Sequence, residues 1–191
     1  MSKKLILLFT PIILLLLMFF LIIPYMQKQD EIKQYAFTMN SIDGKVSLSD
    51  YDGKYKLIYY GYMYCPDICP TTLSIISQAL NQLPKDKAEK FQLIFISVDP
   101  DRDKLKELKE YVNYFYKGSI GITSDEKYLK HISGNYGTYY SKEYLKNSKM
   151  DYSVAHTSFV YLMDKDGTLL KKLNHLENSK KILEILKKVT K

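Results

Sequence analysis

The 191-residue sequence holds a single arginine, two cysteines and three histidines. Each scarcity excludes something. Phosphate-binding surfaces cluster their basic residues and favour arginine forks. Here Arg102 stands alone, and the lysines behind the formal charge of +7 are scattered singly or in pairs, with Lys3-Lys4 flanking the apolar stretch. That pattern reads as a solvated, lysine-rich surface and not as a nucleic-acid interface. Two cysteines close one disulfide at most, so the chain is not a disulfide-scaffolded miniprotein. No internal repeat or low-complexity segment interrupts it.

Charge is also missing from one long stretch. No ionisable side chain except Tyr25 lies between Lys4 and Lys28, and Leu5 to Ile23 is apolar apart from Thr10 and Pro11. A helix of that length just spans a hydrocarbon core of about 30 Å. A cleaved signal peptide has a shorter apolar region and a small-residue cleavage site, which Pro24-Tyr25-Met26-Gln27 does not offer. Residues 1–27 are therefore expected to be an uncleaved membrane anchor, residues 28–34 a polar tether, and residues 35–191 one globular domain with a real core. Lys3 and Lys4 favour a cytoplasmic N-terminus. No Arg- and Ser-rich leader precedes the anchor, which points to a bacterial inner membrane with the domain on the periplasmic side.

Within the domain, the elements alternate. Tyr35 to Met39 and Lys45 to Leu48 flank the hairpin-turn pair Asp43-Gly44. Tyr55 to Tyr62 and Phe91 to Val98 are continuous apolar or aromatic runs, as in parallel strands covered on both faces. Leu73, Ile76, Leu80 and Leu83, then Leu105, Leu108, Val112 and Phe115, follow helical spacing. A short strand over 120–123, a helix over 125–133, a hairpin around Asp166-Gly167 and a closing helix over 178–189 complete the order. Hairpin, strand–helix–strand–helix, hairpin and helix is the order of a thioredoxin-like α/β fold.

Both cysteines lie in Tyr62-Met63-Tyr64-Cys65-Pro66-Asp67-Ile68-Cys69-Pro70, between the first long strand and its helix. The residue before a proline avoids helical geometry, which makes Cys65 a loop residue. Pro70 is expected to open the helix with Cys69 as its cap. Open α/β sheets place their sites at this strand-to-helix junction, and the helix dipole there favours thiolate. A simple structural staple fits poorly. A redox dithiol and part of a metal site both remain open, and C-x-x-x-C has one residue more than the oxidoreductase C-x-x-C.

Two thiolates with one imidazole would suit copper, whereas structural zinc asks for a fourth ligand. His131 falls within a helical stretch, and His175 follows the last strand. His156, directly before a strand, would face the cysteine loop in a thioredoxin-like fold, which makes it the preferred third ligand. Asp103 or Asp101 can cap the helix that follows them, and Arg102 can pair with nearby carboxylates. Asp67 reads as a local loop hydrogen-bonder more readily than as support for a ligand.

Gly61 to Pro70, Val98-Asp-Pro-Asp-Arg-Asp103 and Asp151-Tyr-Ser-Val-Ala-His156 resemble three ordered blocks of the Sco/SenC proteins. These are membrane-anchored, thioredoxin-like copper chaperones for the dinuclear copper centre of cytochrome c oxidase. The resemblance implies one copper ion held by Cys65, Cys69 and His156. It also implies an oxidase copper-binding subunit and a copper donor protein as partners. Two positions depart from the family's usual pattern. Ala155 stands where an aspartate commonly precedes the histidine, and Met63-Tyr64 replaces a commoner Thr-His pair. The rival expectation is a membrane-tethered thiol–disulfide oxidoreductase using a Cys65–Cys69 redox disulfide, in which His156 has no necessary part.

Overall fold

The computed structural model describes residues 10–12, 14–146, 150–175 and 177–190. The chain divides into two compact units, Met1–Gln34 and Tyr35–Lys191. Thr10–Tyr35, which makes up most of the first, is one helix of 26 residues, long and apolar enough to cross a membrane. Residues 5–9 and 13 of the expected apolar span lie outside the described residues. The polar stretch after it is helical as well, in α1 (Ile23–Tyr35). A π-helical turn at Met18–Ile22 ends two residues before Pro24, whose ring removes an amide from the helical ladder.

The second unit is built on a five-stranded mixed sheet. In chain order its strands are β3 (Tyr55–Gly61), β4 (Phe91–Ser97), β5 (Ile120–Ile122), β8 (Phe159–Met163) and β9 (Leu169–Asn174). Their spatial order is β5-β4-β3-β8-β9. β3 and β4 run parallel from Tyr55 opposite Phe91 to Gly61 opposite Ser97, and β8 is antiparallel to β3. All seven residues of β4 and six of β3 are buried, because helices cover both faces. Tyr59 meets Phe95 on one face, the side of α2 (Ile68–Asn81) and α3 (Leu105–Phe115). Tyr60 meets Tyr136 of α4 (Glu126–Tyr136) on the other. The last helix, α5 (Ser179–Val189), packs on α2. This is the thioredoxin-like fold the element order led us to expect.

The first hairpin, β1 (Thr38–Ser41) with β2 (Gly44–Ser47), bridges to the edge of β5 through paired bonds between Asn40 and Thr123. It shields an edge that would otherwise be open. A second two-stranded ribbon was not anticipated: β6 (Tyr140–Tyr144) pairs with β7 (Tyr152–His156), Tyr140 opposite His156 and Tyr144 opposite Tyr152. It stands outside the five-stranded sheet.

Two local expectations need correction. The helix after the cysteine loop begins at Ile68 with Asp67 at its N-cap, so Cys69 lies inside the first turn and does not cap it. Pro70 is tolerated there because first-turn amides have no intrahelical partner. Neither Asp101 nor Asp103 caps α3: Lys104 holds that position without a side-chain bond. Both carboxylates are engaged elsewhere. Asp67 acts locally, as expected, accepting from the Thr71 hydroxyl.

Candidate metal centre

The Cys65 loop is fixed between the end of β3 and the first turn of α2. Cys65 donates its amide to the Tyr62 carbonyl, and the Cys69 amide points at Cys65 Sγ, 3.4 Å away. Cys69 is fully buried and Cys65 half-buried. There is no room for a side chain at Gly61, where a Cβ would come within 2.8 Å of Cys69 Sγ. Cys69 also accepts from the buried Tyr59 hydroxyl at 3.6 Å.

His156 ends β7 and approaches from the other side. Its Nε2 lies 3.4 Å from Cys69 Sγ, and Nδ1 lies 3.2 Å from the Thr157 carbonyl. The rings of Tyr59 and Tyr62 flank the imidazole edge-on, with centroids 6.3 and 6.0 Å away. The donor atoms of Cys65, Cys69 and His156 all fall within 4.8 Å of one another. Ala155 is exposed beside them and brings no carboxylate. The two remaining histidines stand apart from this group, His131 exposed on α4 and His175 in the turn after β9.

The two thiols are polarised in opposite directions. A hydrogen bond from the Cys69 thiol, reinforced by His156 and the Cys69 amide, outweighs burial and holds Cys65 down at about 3. Donating that bond, together with burial, pushes Cys69 far above the ordinary thiol range. Both sulfurs are soft donors, the imidazole is intermediate, and together they form a set that suits copper. The set lies partly open, with Cys65 and His156 half-buried.

The Asp-Pro-Asp-Arg-Asp turn after β4 contributes in a way that local reading missed. Asp103 Oδ2 accepts from the Met63 amide at 3.0 Å and the Ser97 hydroxyl at 2.6 Å, which ties the cysteine loop to the end of β4. Burial raises its carboxyl to about 6 despite those bonds. Asp99 is fully buried. It receives Arg102 Nε at 2.5 Å, the pairing expected of Arg102, and the Tyr152 hydroxyl at 2.7 Å. Arg102 Nη1 in turn donates to the Tyr152 carbonyl at 2.9 Å. The one available signal for the ribbon itself was the alternation of Tyr140, Lys142 and Tyr144 and of Tyr152, Val154 and His156.

Comparison with known proteins agrees with this geometry. The SCO1/SenC family model matches residues 25–191. An SCO2-like protein of Rickettsia prowazekii is 34% identical over 152 residues, covering 79% of this chain and 74% of its own. A putative copper-binding protein of Stutzerimonas stutzeri is 35% identical over 127 residues, covering 66% and 61% of the two chains. Among solved structures, ScoI of Arabidopsis thaliana with copper bound superposes with a TM-score of 0.74 at 29% identity, over 81% of this chain and 96% of that one. ScoI of Bradyrhizobium japonicum with copper bound gives 0.70 at 34%, over 80% and 96%. The thioredoxin domain of a thiol–disulfide oxidoreductase from Bacteroides vulgatus, at 18% identity and a TM-score of 0.56, shares the fold alone. With a thioredoxin-like frame and a Cys-Cys-His cluster at its strand-to-helix junction, this chain belongs to the SCO1/SenC family of copper-binding proteins.

Proposed function

We propose that Cys65, Cys69 and His156 hold one copper ion and that the protein is a chaperone, not an enzyme. In this reading it takes the ion from a donor protein and delivers it to the dinuclear copper centre of cytochrome c oxidase. The observation that carries the reading is the convergence of three copper-compatible donor atoms within 4.8 Å, drawn from a loop, a helix and a separate ribbon. The helix Thr10–Tyr35 supports anchoring. Residues 1–27 then cross a bacterial inner membrane with the N-terminus cytoplasmic, 28–34 link, and 35–191 work on the periplasmic side.

The test is a copper titration of the reduced, detergent-solubilised chain beside its Cys65→Ser, Cys69→Ser and His156→Ala variants. One copper per chain with mixed sulfur and nitrogen coordination is expected, and each substitution weakens it. X-ray absorption without sulfur scattering, or wild-type affinity in His156→Ala, overturns the assignment.

One observation favours a second reading, thiol–disulfide exchange on the oxidase's own cysteines: the half-buried Cys65 is the more acidic thiol and Cys69 sits close behind it. A Cys65–Cys69 reduction potential inside the catalytic span of about −120 to −270 mV, combined with undiminished turnover in His156→Ala, would support exchange over delivery.

A further inference from the structure

We propose that Arg102 is a positioning residue for His156: it latches the ribbon that carries the histidine to the loop that carries the cysteines. The inference rests on the copper assignment of Cys65, Cys69 and His156 above.

The ribbon has little to hold it in place by itself. It is two strands outside the main sheet, and an isolated hairpin is marginally stable in water. His156 lies near the end where the chain enters β8, while Tyr152 lies about 13 Å further out along the strand. Tyr152, Val154 and His156 share one face of β7. A restraint at Tyr152 therefore fixes the angle of the ribbon and with it the approach of the imidazole.

Arg102 supplies that restraint from both sides at once. Its guanidinium lies 3.7 Å from the ring centroid of Tyr152 and bonds the Tyr152 carbonyl, on the histidine's strand. It lies 5.0 and 5.8 Å from the rings of Tyr64 and Tyr62, on the cysteine side. Asp99, fully buried, orients it through Nε and also takes the Tyr152 hydroxyl. The remaining nitrogen, Nη2, is buried with no hydrogen-bond partner, so ring contacts hold that side of the fork. Lysine offers neither the planar stack nor the fork. Tyr64 closes this cage from the cysteine loop.

Metal sites lose about 10–100-fold in affinity when groups that orient a ligand are removed. Arg102→Gln is therefore expected to weaken copper binding to the full-length protein in detergent about 10–100-fold. Tyr152→Phe, which spares the ring and the fold, moves the same way by less. Nitrogen scattering from copper should fall in both. In the metal-free protein, amides 152–156 should exchange faster with deuterium in both variants. In a His156→Ala background Arg102→Gln should cost no further affinity, because its effect passes through His156.

Equal further loss in that background, or unchanged exchange and wild-type affinity in both single variants, overturns the latch. If Arg102→Gln does not fold, Tyr152→Phe and its double variant with His156→Ala decide alone. If instead His156→Ala by itself binds copper like wild type, the ligand assignment fails first, a result distinct from any failure of the latch.

Discussion

Gly61 offers the sharpest test of how tightly the site is built. Its Cβ position is occupied: an added methyl would lie 2.8 Å from Cys69 Sγ and 2.9 Å from Phe95 Cε2. Cys69 and Phe95 are both fully buried, so neither can swing into solvent to make room. Ordinary contact begins near 3.4 Å, so the sulfur must retreat by about 0.6 Å. Metal–ligand distances tolerate about 0.2 Å. Gly61→Ala is thus expected to cost about 1–3 kcal/mol of stability by overpacking. It should separately weaken copper binding at least tenfold, or about 1.4 kcal/mol. The control is Gly121→Ala on β5, where the added methyl would meet Leu108 Cγ at 2.7 Å and the Leu108 carbonyl oxygen at 3.0 Å. It should lose similar stability and keep its copper. Thermal unfolding and a competitive copper titration of the reduced proteins measure both quantities. Wild-type copper affinity in Gly61→Ala, or an equal loss in Gly121→Ala, would refute the reasoning.

Two further outcomes test the thiols and the frame. With Cys65 held at about 3, iodoacetamide should label one thiol at a nearly constant rate from pH 5 to pH 8, where an ordinary thiol speeds up about tenfold per unit. The depressed value also adds stability that is complete above the ordinary thiol range and is lost as pH falls towards 3. A labelling rate with a midpoint near 8.5 would show that Cys65 is not polarised. Lys56 is fully buried in β3, with its amine bonded to Asp52 Oδ1 and the carbonyls of Asp164 and Lys165 at 3.2, 3.3 and 2.8 Å. Lys56→Met removes all three bonds, leaving the Asp164 and Lys165 carbonyls only the amides of Gly167 and Gly53, and should lower unfolding free energy by about 1–3 kcal/mol with copper affinity intact; denaturant melts matching wild type would contradict this.

Much of the frame is legible from sequence because its signals are short-range. Lys56–Gly61 and Phe91–Ser97 are continuous buried runs, and Leu73, Ile76 and Leu80 mark the face of α2 that becomes core. Such periodicities report burial directly. The boundaries were less legible. Proline at position 70 is compatible with any first-turn position, so it could not by itself place the helix start at Ile68. The opposite polarisation of the cysteines was not legible at all, since it arises from which sulfur faces the other's proton and the His156 ring.

The ribbon and the turn at 99–103 escaped local reading for one shared reason: their partners are distant in sequence. Asp103 looks like a helix cap because aspartate before a helix usually is one. It is drawn away by the Met63 amide, 40 positions earlier, on the loop before Cys65. Arg102 looks like half of a local ion pair, which it is with Asp99, but its other hydrogen bond reaches Tyr152, 50 positions later. One five-residue turn therefore meets both the segment before Cys65 and the strand that ends in His156. A burial or periodicity signal cannot reveal such a turn, because its side chains are polar and its geometry is irregular. Their cost of burial does reveal it once coordinates are available. A fully buried aspartate and a largely buried arginine stay in place only where each is nearly fully partnered, and here the partners join the two halves of the site.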